Sequence, residues 1–405
     1  MGFAKQQSRR GYRMRISDED TKAYFAAQKK RAKKKYKKTK NWSFTTDIIY
    51  FRRMLGNPLS KLTGQIQDLA PFQVDYHMAI QTQHRVIMNK SRKLGATETV
   101  NTSFALNVFD RYAGHDILYG AGNELKVARE VLYRLYELFM DKDHPDGRYA
   151  FRYFDPEYIP KIESGSMTWE EAMDGAEKIH ESDLIRKKKF GPEPTIEFTN
   201  GTRAFAWAMV RQEKAQSFRG ADDLIAIFFT EAAHTGMRQD QSAMNALKPN
   251  LAQRDDADFI LESTPNGRRG FYYNYWMESM KVLGKQFDIP VKDDTHQTLV
   301  DRVNALWKKG KYKKDLGFIL DWFPFRVPYQ IGIDHNILSK KFIESEKRDP
   351  EIDFKQEYEC YFTSTYSSAI DTSNLKFVPD DVSAEYRKKY PKDLLELVGK
   401  KSVQY

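Results

Sequence analysis

Residues 84–99, His84-Arg85-Val86-Ile87-Met88-Asn89-Lys90-Ser91-Arg92-Lys93-Leu94-Gly95-Ala96-Thr97-Glu98-Thr99, limit what this chain can fold into more than any other stretch. An apolar run enters a basic turn centred on Gly95, and a helix-compatible run, Val100 to Phe109, follows. A strand, a loop and a helix in that order turn backbone N–H groups and a helix N-terminus toward an anion. The loop departs from the usual pattern G-x-x-x-x-G-K-[ST]. With Gly95-Ala96-Thr97 laid on G-K-[ST], the lysine position holds Ala96 and the first glycine position holds Lys90. Either the match is accidental or the lysine has moved to the start of the loop.

The rest of the chain suggests the sheet such a loop belongs to. Short apolar runs at Arg85–Asn89, Asp116–Gly120, Leu224–Phe229 and Phe259–Ser263 read as strands buried on both faces. Helical patterns at Thr99–Tyr112, Glu124–Met140 and Gln241–Ala252 separate them, so a mostly parallel α/β sheet flanked by helices is expected. Upstream, Trp42–Asn57 and a second stretch to Leu69 read as helical, and Leu69-Ala70-Pro71 introduces a helix over Val74–Thr82. A polar insertion spans 141–190, with a short helix expected at Thr168–Lys178. Next, Asn200-Gly201 between two apolar runs predicts a hairpin. Beyond the last core strand, aromatic Phe271–Trp276 packs as a helix, Leu299–Lys308 reads as a helix, and Phe323–Val327 as a strand.

Charge is unevenly distributed. The net charge is +10 over 405 residues, yet residues 1–40 hold 15 Lys and Arg against Asp18, Glu19 and Asp20, a net of +12. The remainder is therefore near neutral, at −2. Residues 1–42 read as a basic flexible arm, either a solubilising tail or a contact to phosphate backbone or an acidic partner. No run approaches the roughly 18 apolar residues of a membrane span. The single cysteine, Cys360, excludes an intrachain disulfide and reads as a small core residue. A cytoplasmic setting is expected.

Two strand ends carry candidate chemistry. The run Leu224-Ile225-Ala226-Ile227-Phe228-Phe229-Thr230-Glu231 ends in an acid, where a phosphate-loop enzyme keeps a water-activating carboxylate and a magnesium ligand. The metal ligand is normally an Asp directly before the Glu, and here that position is Thr230. Phe259-Ile260-Leu261-Glu262 runs into Ser263-Thr264-Pro265-Asn266-Gly267, with the composition of a turn. At the C-terminal edge of an open α/β sheet it would border the ligand crevice. His234 reads as a packing or hydrogen-bonding residue.

Taken in order, the displaced-lysine loop, the strand ending Glu231-Ala232-Ala233 and Ser263-Thr264-Pro265-Asn266-Gly267 resemble the ATPase region of viral, tailed-phage-type terminase large subunits. Pro71-Phe72-Gln73 resembles that family's adenine-recognising glutamine motif, and Ser217-Phe218-Arg219-Gly220 its Arg-Gly element. Phe354-Lys355-Gln356-Glu357-Tyr358-Glu359-Cys360-Tyr361-Phe362 resembles the segment that closes the ATPase region. The resemblance spans roughly residues 60–365 and implies a P-loop NTPase fold of the ASCE, RecA-like type.

The resemblance also implies roles. Gln73 would read adenine. Lys90, with Lys93 second, would contact the β- and γ-phosphates, within a nucleotide-binding stretch Lys90, Ser91, Arg92, Lys93, Leu94, Gly95, Ala96, Thr97 and Glu98. Thr97, and Thr230 through water, would serve Mg²⁺. Glu231 would activate water and Arg92 would stabilise transition-state charge. Ser263, Thr264 and Asn266 would sense the γ-phosphate. Arg211 or Arg219 would be an arginine finger or a brace for the acidic strand. ATP and Mg²⁺ are the implied cofactors. The implied partners are double-stranded DNA, a viral portal, a small terminase subunit and further copies of the chain in a ring, with no membrane. The implied setting is the host-cell cytoplasm at the portal vertex of a procapsid.

The expected organisation is an arm (1–42), an ATPase domain (43–365) whose part 300–365 is lid-like, and a linker or nuclease beginning (366–405). Asp371 stands alone as a candidate nuclease acid, so no nuclease activity is expected. Two other readings share these residues: a different DNA helicase or translocase, and a weakly hydrolysing nucleotide-binding subunit that binds DNA or directs assembly.

Overall fold

The computed structural model describes residues 69–121, 125–140, 149–153, 158–174, 177–208, 223–235, 257–311 and 320–363, with Ile48, Phe51, Arg52, Leu55, Met244, Asn245 and Leu247. The basic arm, Arg211, Arg219, the Arg-Gly element and residues 366–405 lie outside the described residues, as does most of the helix expected at Gln241–Ala252. The chain divides into two units, Met1–Thr363 and Ser364–Tyr405, and the fold described is that of the first.

Its centre is an eight-stranded sheet in the order β10-β1-β9-β8-β2-β7-β6-β5. The strands are β1 (Arg85–Lys90), β2 (Asp116–Ala121), β5 (Ile185–Lys189), β6 (Thr195–Phe198), β7 (Arg203–Ala208), β8 (Leu224–Thr230), β9 (Asp258–Ser263) and β10 (Phe323–Val327). The pairs β10–β1, β1–β9, β9–β8, β8–β2 and β2–β7 are parallel. Every residue of β8, β9 and β10 is buried, which is why apolar residues dominate these strands. The α/β class expected from the alternation is the class observed.

From β1 the chain crosses to β2, fills the gap with β8 and β9, and then places β10 on the other side of β1. The C-terminal end of β1 is therefore a topological switch point, where open α/β sheets form their crevice. β9 is the additional strand that separates the loop strand from the acidic strand.

Helices α1 (Pro71–Gln83), α2 (Ala96–Val108) and α3 (Leu125–Leu138) pack in sequence, α1 against β1 and β10 and α3 against β2 and β7. Gly95 takes φ +71 and α2 begins at once, so Ala96, Thr97 and Glu98 lie in its first turn rather than in the loop. The helix also stops before the expected Tyr112, because the N–H groups of Asp110 and Tyr112 both turn back to Asn107 O.

The insertion differs most from expectation. It holds β3 (Tyr149–Tyr153) paired with β4 (Glu177–His180), and the short helices α4 (Ile159–Glu163), α5 (Trp169–Asp174) and α6 (Glu181–Leu184). The helix expected to reach Lys178 ends at Asp174, where β4 takes over. The hairpin at Asn200-Gly201 is present as antiparallel β6–β7, with Gly201 at φ +93. Strand β5, unanticipated, pairs with β6 as the sheet's edge and exposes Arg186, Lys187, Lys188 and Lys189. Lysine on an edge discourages pairing with another chain.

After β9 come α7 (Gly270–Phe287), α8 (His296–Lys308) and, beyond β10, α9 (Tyr329–Asp334), α10 (Lys340–Glu346) and α11 (Phe354–Glu357). Tyr272 and Trp276 of α7 are fully buried, the core role expected for the aromatic run. Cys360 is buried as well, and burial pushes its thiol up to about 12. Among the described residues no helix is long and apolar enough to cross a membrane.

Candidate functional site

At the switch point the loop is held by three hydrogen-bonded tethers and one packing contact. Ser91 N–H donates to Val327 O at the end of β10, and Arg92 N–H donates to Glu357 O at the end of α11. Leu94 is buried beside Gly332 of α9, where a Cβ would stand 2.5 Å from Leu94 Cδ2. Gln73 supplies the third tether: its Oε1 accepts from Ala70 N–H (2.8 Å), and its Nε2 donates to Gly95 O (3.3 Å). The carboxamide thus joins the start of α1 to the loop, with both ends engaged by backbone.

Lys93 (φ +60) and Gly95 (φ +71) are both left-handed, so the backbone between them is concave. The first N–H groups of α2 have no intrahelical acceptor and carry the positive end of the helix dipole. Together these features make an anion cradle.

Lys90 leaves β1 beneath this cradle and is buried. Its Nζ lies 3.5 Å from Glu231 Oε1 and 3.8 Å from Glu262 Oε1. Burial lowers the lysine's pKa, but the two carboxylates outweigh it and the net shift is upward, so Lys90 stays charged. Glu231 follows β8 in a left-handed conformation (φ +49), a strain that non-glycine residues tolerate only where surrounding structure holds them. Glu262 is completely buried and accepts a 2.6 Å hydrogen bond from Thr97 Oγ1. Burial outweighs the opposing pull of Lys90 and Thr97, and the Glu262 carboxyl is pushed up to about 7.

The turn after β9 is stitched to the end of β8. Ser263 Oγ accepts from Ala233 N–H (3.2 Å), and Asn266 Nδ2 donates to Ala233 O (3.2 Å). Thr264 Oγ1 and His234 Nε2 are 2.9 Å apart. His234 therefore serves as a hydrogen-bonding partner, as expected. On its other side the turn meets the closing segment: Gly267 N–H donates to Gln356 Oε1 (2.7 Å) and Arg268 Nε to Phe362 O (3.1 Å). That segment also holds the loop, through the Arg92–Glu357 ion pair at 2.7 Å.

A cleft of ≈ 770 Å³ opens over these groups. Of the sequence-predicted residues, Lys90, Arg92, Lys93, Leu94, Gly95, Ala96, Thr97, Glu98, Glu231 and Thr264 line it. Ser91, Gln73, Thr230 and Ser263 are buried behind it, and Asn266 bridges back to β8. Sequence reasoning missed Glu262, although an acid inside an apolar strand was a visible signal. It also missed Arg134 of α3, which lines the cleft and sits in an ordinary amphipathic helix with nothing to mark it.

A glycine-bearing loop at the switch point of a mostly parallel sheet, running into a helix N-terminus beside a strand that leads into an acid, defines an α/β fold with its crevice at the C-terminal edge of the sheet. No protein-family model matches the chain, and no curated protein matches it. Among solved structures it is similar to the large terminase ATPase domain of Thermus phage P74-26, at 16% identity and TM-score 0.37, covering 71% of this chain and 93% of that one. It is also similar to the large terminase of a thermophilic bacteriophage in complex with ADP (12% identity, TM-score 0.41, 76% of this chain and 54% of that one). The large terminase of bacteriophage HK97 matches at 12% identity and TM-score 0.36, over 68% of this chain and 53% of that one. The chain thus spans about half the length of the latter two proteins.

Proposed function

We propose that the chain is an ATPase of the terminase kind, which binds ATP in this cleft and couples its hydrolysis to movement of double-stranded DNA into a procapsid. The observation that carries the reading is the convergence of the loop, Lys90, Glu231 and the Ser263–Asn266 turn on one cleft from three parallel strands. In this reading the cradle and α2 hold the phosphates. Lys90 exchanges its contact with Glu231 for a phosphate oxygen, leaving Glu231 to orient and deprotonate water. Arg92 and Arg134 sit where they can neutralise phosphate charge. Gln73 transmits any movement of the loop to α1, and meets adenine only if its backbone contacts open.

Mg²⁺ fits the residues present. Such ions are usually held by one or two side chains plus phosphates and waters, not by a protein cage. Among the described residues no group of three or more His, Cys, Asp or Glu side chains converges as a cage. Thr97 faces the cleft and hydrogen-bonds a buried carboxylate whose second oxygen, Glu262 Oε2, has no hydrogen-bond partner. Bound there, the metal would neutralise phosphate charge during transfer.

The contacts of Ser263 and Asn266 to Ala233, and of the adjoining Gly267 and Arg268 to Gln356 and Phe362, offer a route by which loss of the γ-phosphate would move the closing segment. The portal, the small subunit and a ring of copies belong to this proposal as the partners a packaging motor needs. The test is a DNA-stimulated ATPase assay on wild type, Lys90→Ala and Glu231→Gln. Turnover in wild type that drops at least a hundredfold in Glu231→Gln, with nucleotide binding retained, supports the reading. Absence of turnover on DNA at any protein concentration sinks it. Turnover accompanied by strand separation would favour a helicase instead.

A further inference from the structure

β8 ends at Thr230 and Glu231 follows directly, so the site lacks the carboxylate expected beside the catalytic acid. Parallel pairing puts Thr230 in register with Glu262 on the next strand. A side chain on β9 at that level can reach the space a β8 side chain would fill. Glu262 is fully buried, and its two oxygens have different surroundings. Oε1 accepts from Thr97 Oγ1, the hydroxyl at the mouth of the loop, while Oε2 is buried with no partner. A buried carboxylate oxygen left unpaired is costly, and native proteins rarely keep one without a ligand, ion or water to fill it. The positive charge near Glu262 is Lys90 Nζ at 3.8 Å, which is also shared with Glu231. A polyphosphate drawing that ammonium toward itself would leave two neighbouring carboxylates short of a cation.

We propose that Glu262 replaces the missing β8 carboxylate at the Mg²⁺ site: Thr97 donates to its Oε1, and its Oε2 receives a metal-bound water. The metal carboxylate has moved one strand over, from β8 to β9, just as the phosphate lysine stands at the other end of its loop. Glu262 acts as a positioning residue, since it lies behind the cleft wall and works through Thr97 and water. The inference rests on the nucleotide reading above.

The test measures binding of a fluorescent ATP analogue with Mg²⁺ and with EDTA, for wild type, Glu262→Gln, Thr230→Asp and the double variant. Outer carboxylates of metal sites typically govern 10–100-fold of metal affinity. Glu262→Gln is therefore expected to raise the Mg²⁺ concentration for half-maximal binding at least tenfold, leaving binding in EDTA within about threefold of wild type. Thr230→Asp restores the missing carboxylate, so on that background Glu262→Gln costs less than about threefold. A purely structural role would not be rescued from the neighbouring strand. If Glu262→Gln does not fold, Glu262→Asp takes its place, with the same Mg²⁺-specific loss and the same rescue expected. An unchanged Mg²⁺ dependence, or an equal loss with and without Mg²⁺, overturns the inference while leaving the nucleotide site intact. A wild-type chain that binds no nucleotide in either condition overturns the site reading, and this inference with it.

Discussion

At the scale of single residues, the site is governed by how buried charges share one another. Lys90 is the counter-ion of both Glu231 and Glu262. Lys90→Ala should weaken ATP-analogue binding by about 10–100-fold, the worth of one charge-assisted hydrogen bond. Lys93→Ala, which leaves the carboxylates paired, should cost less, and equilibrium titration of the two variants separates them. If Lys93→Ala is the weaker binder, the assignment of Lys90 is wrong. Two histidines set a pH limit on the fold. Trp276 Nε1 donates to His296 Nδ1, so that nitrogen must stay unprotonated. Ser103 Oγ donates to Thr99 O, so His77 Nδ1 donates to Ser103 Oγ and its Nε2 carries no proton. Burial lowers both pKa values to about 4. Because the unfolded chain takes up these protons near pH 6.5, stability is present above that value and is lost as pH falls toward 4. Each should contribute a loss of about 2 kcal/mol between pH 7 and pH 5. Urea titrations at the two pH values should show a smaller difference for His77→Gln and His296→Gln.

At the scale of elements, the short connections are built to one conformation. Gly95 joins the loop to α2 at φ +71, and a Cβ there would stand 3.0 Å from Gln73 Nε2. Gly95→Ala should cost about 1–2 kcal/mol from the backbone alone and release the Gln73 tether. Chemical denaturation should register the first effect and loss of nucleotide binding the second. A variant with wild-type stability would show that the loop can relax. At the opposite end of β9, Asp258 is buried and receives His84, Arg111 and Tyr112. Asp258→Asn removes the charge that balances Arg111, and should destabilise by about 3–5 kcal/mol, with no direct effect on the cleft. Much of this element level was legible in the sequence. The four buried parallel strands stood out because burial on both faces leaves few polar positions. The hairpin stood out because Asn-Gly accepts left-handed backbone. Strands β3, β4 and β5 did not stand out, since their partners lie far off or across an exposed edge. The sequence Ile-Arg-Lys-Lys-Lys has no apolar alternation to betray a strand.

At the scale of the whole molecule, the charge division sets the strongly basic residues 1–40 apart from a near-neutral remainder. If six or more arm charges meet DNA phosphates, affinity for duplex DNA should fall roughly a thousandfold or more between 50 and 200 mM salt. Removing residues 1–40 should flatten that dependence in a filter-binding titration. An unchanged slope would place the contact on the body instead. Among the described residues, the closing segment touches both the loop, through Glu357, and Gly267 and Arg268 just after the Ser263–Asn266 turn, through Gln356 and Phe362. Whatever the cleft binds is thereby linked to the residues that lead out of the domain.

The sequence by itself determined the order of buried strands and helices, the loop with its displaced lysine, and the acid at the end of β8. Each of these is a local pattern: a run of apolar residues, a glycine that needs positive φ, a charge next to a breaker. Only the tertiary structure decided which carboxylate belongs to which partner. Thr230, Glu262 and Thr97 are distant in sequence, and they meet because β9 lies between β1 and β8 in register with the acidic strand. Strand order is set by packing of the whole sheet, so no local pattern encodes that an acid inside one apolar strand can stand in for one missing from the next.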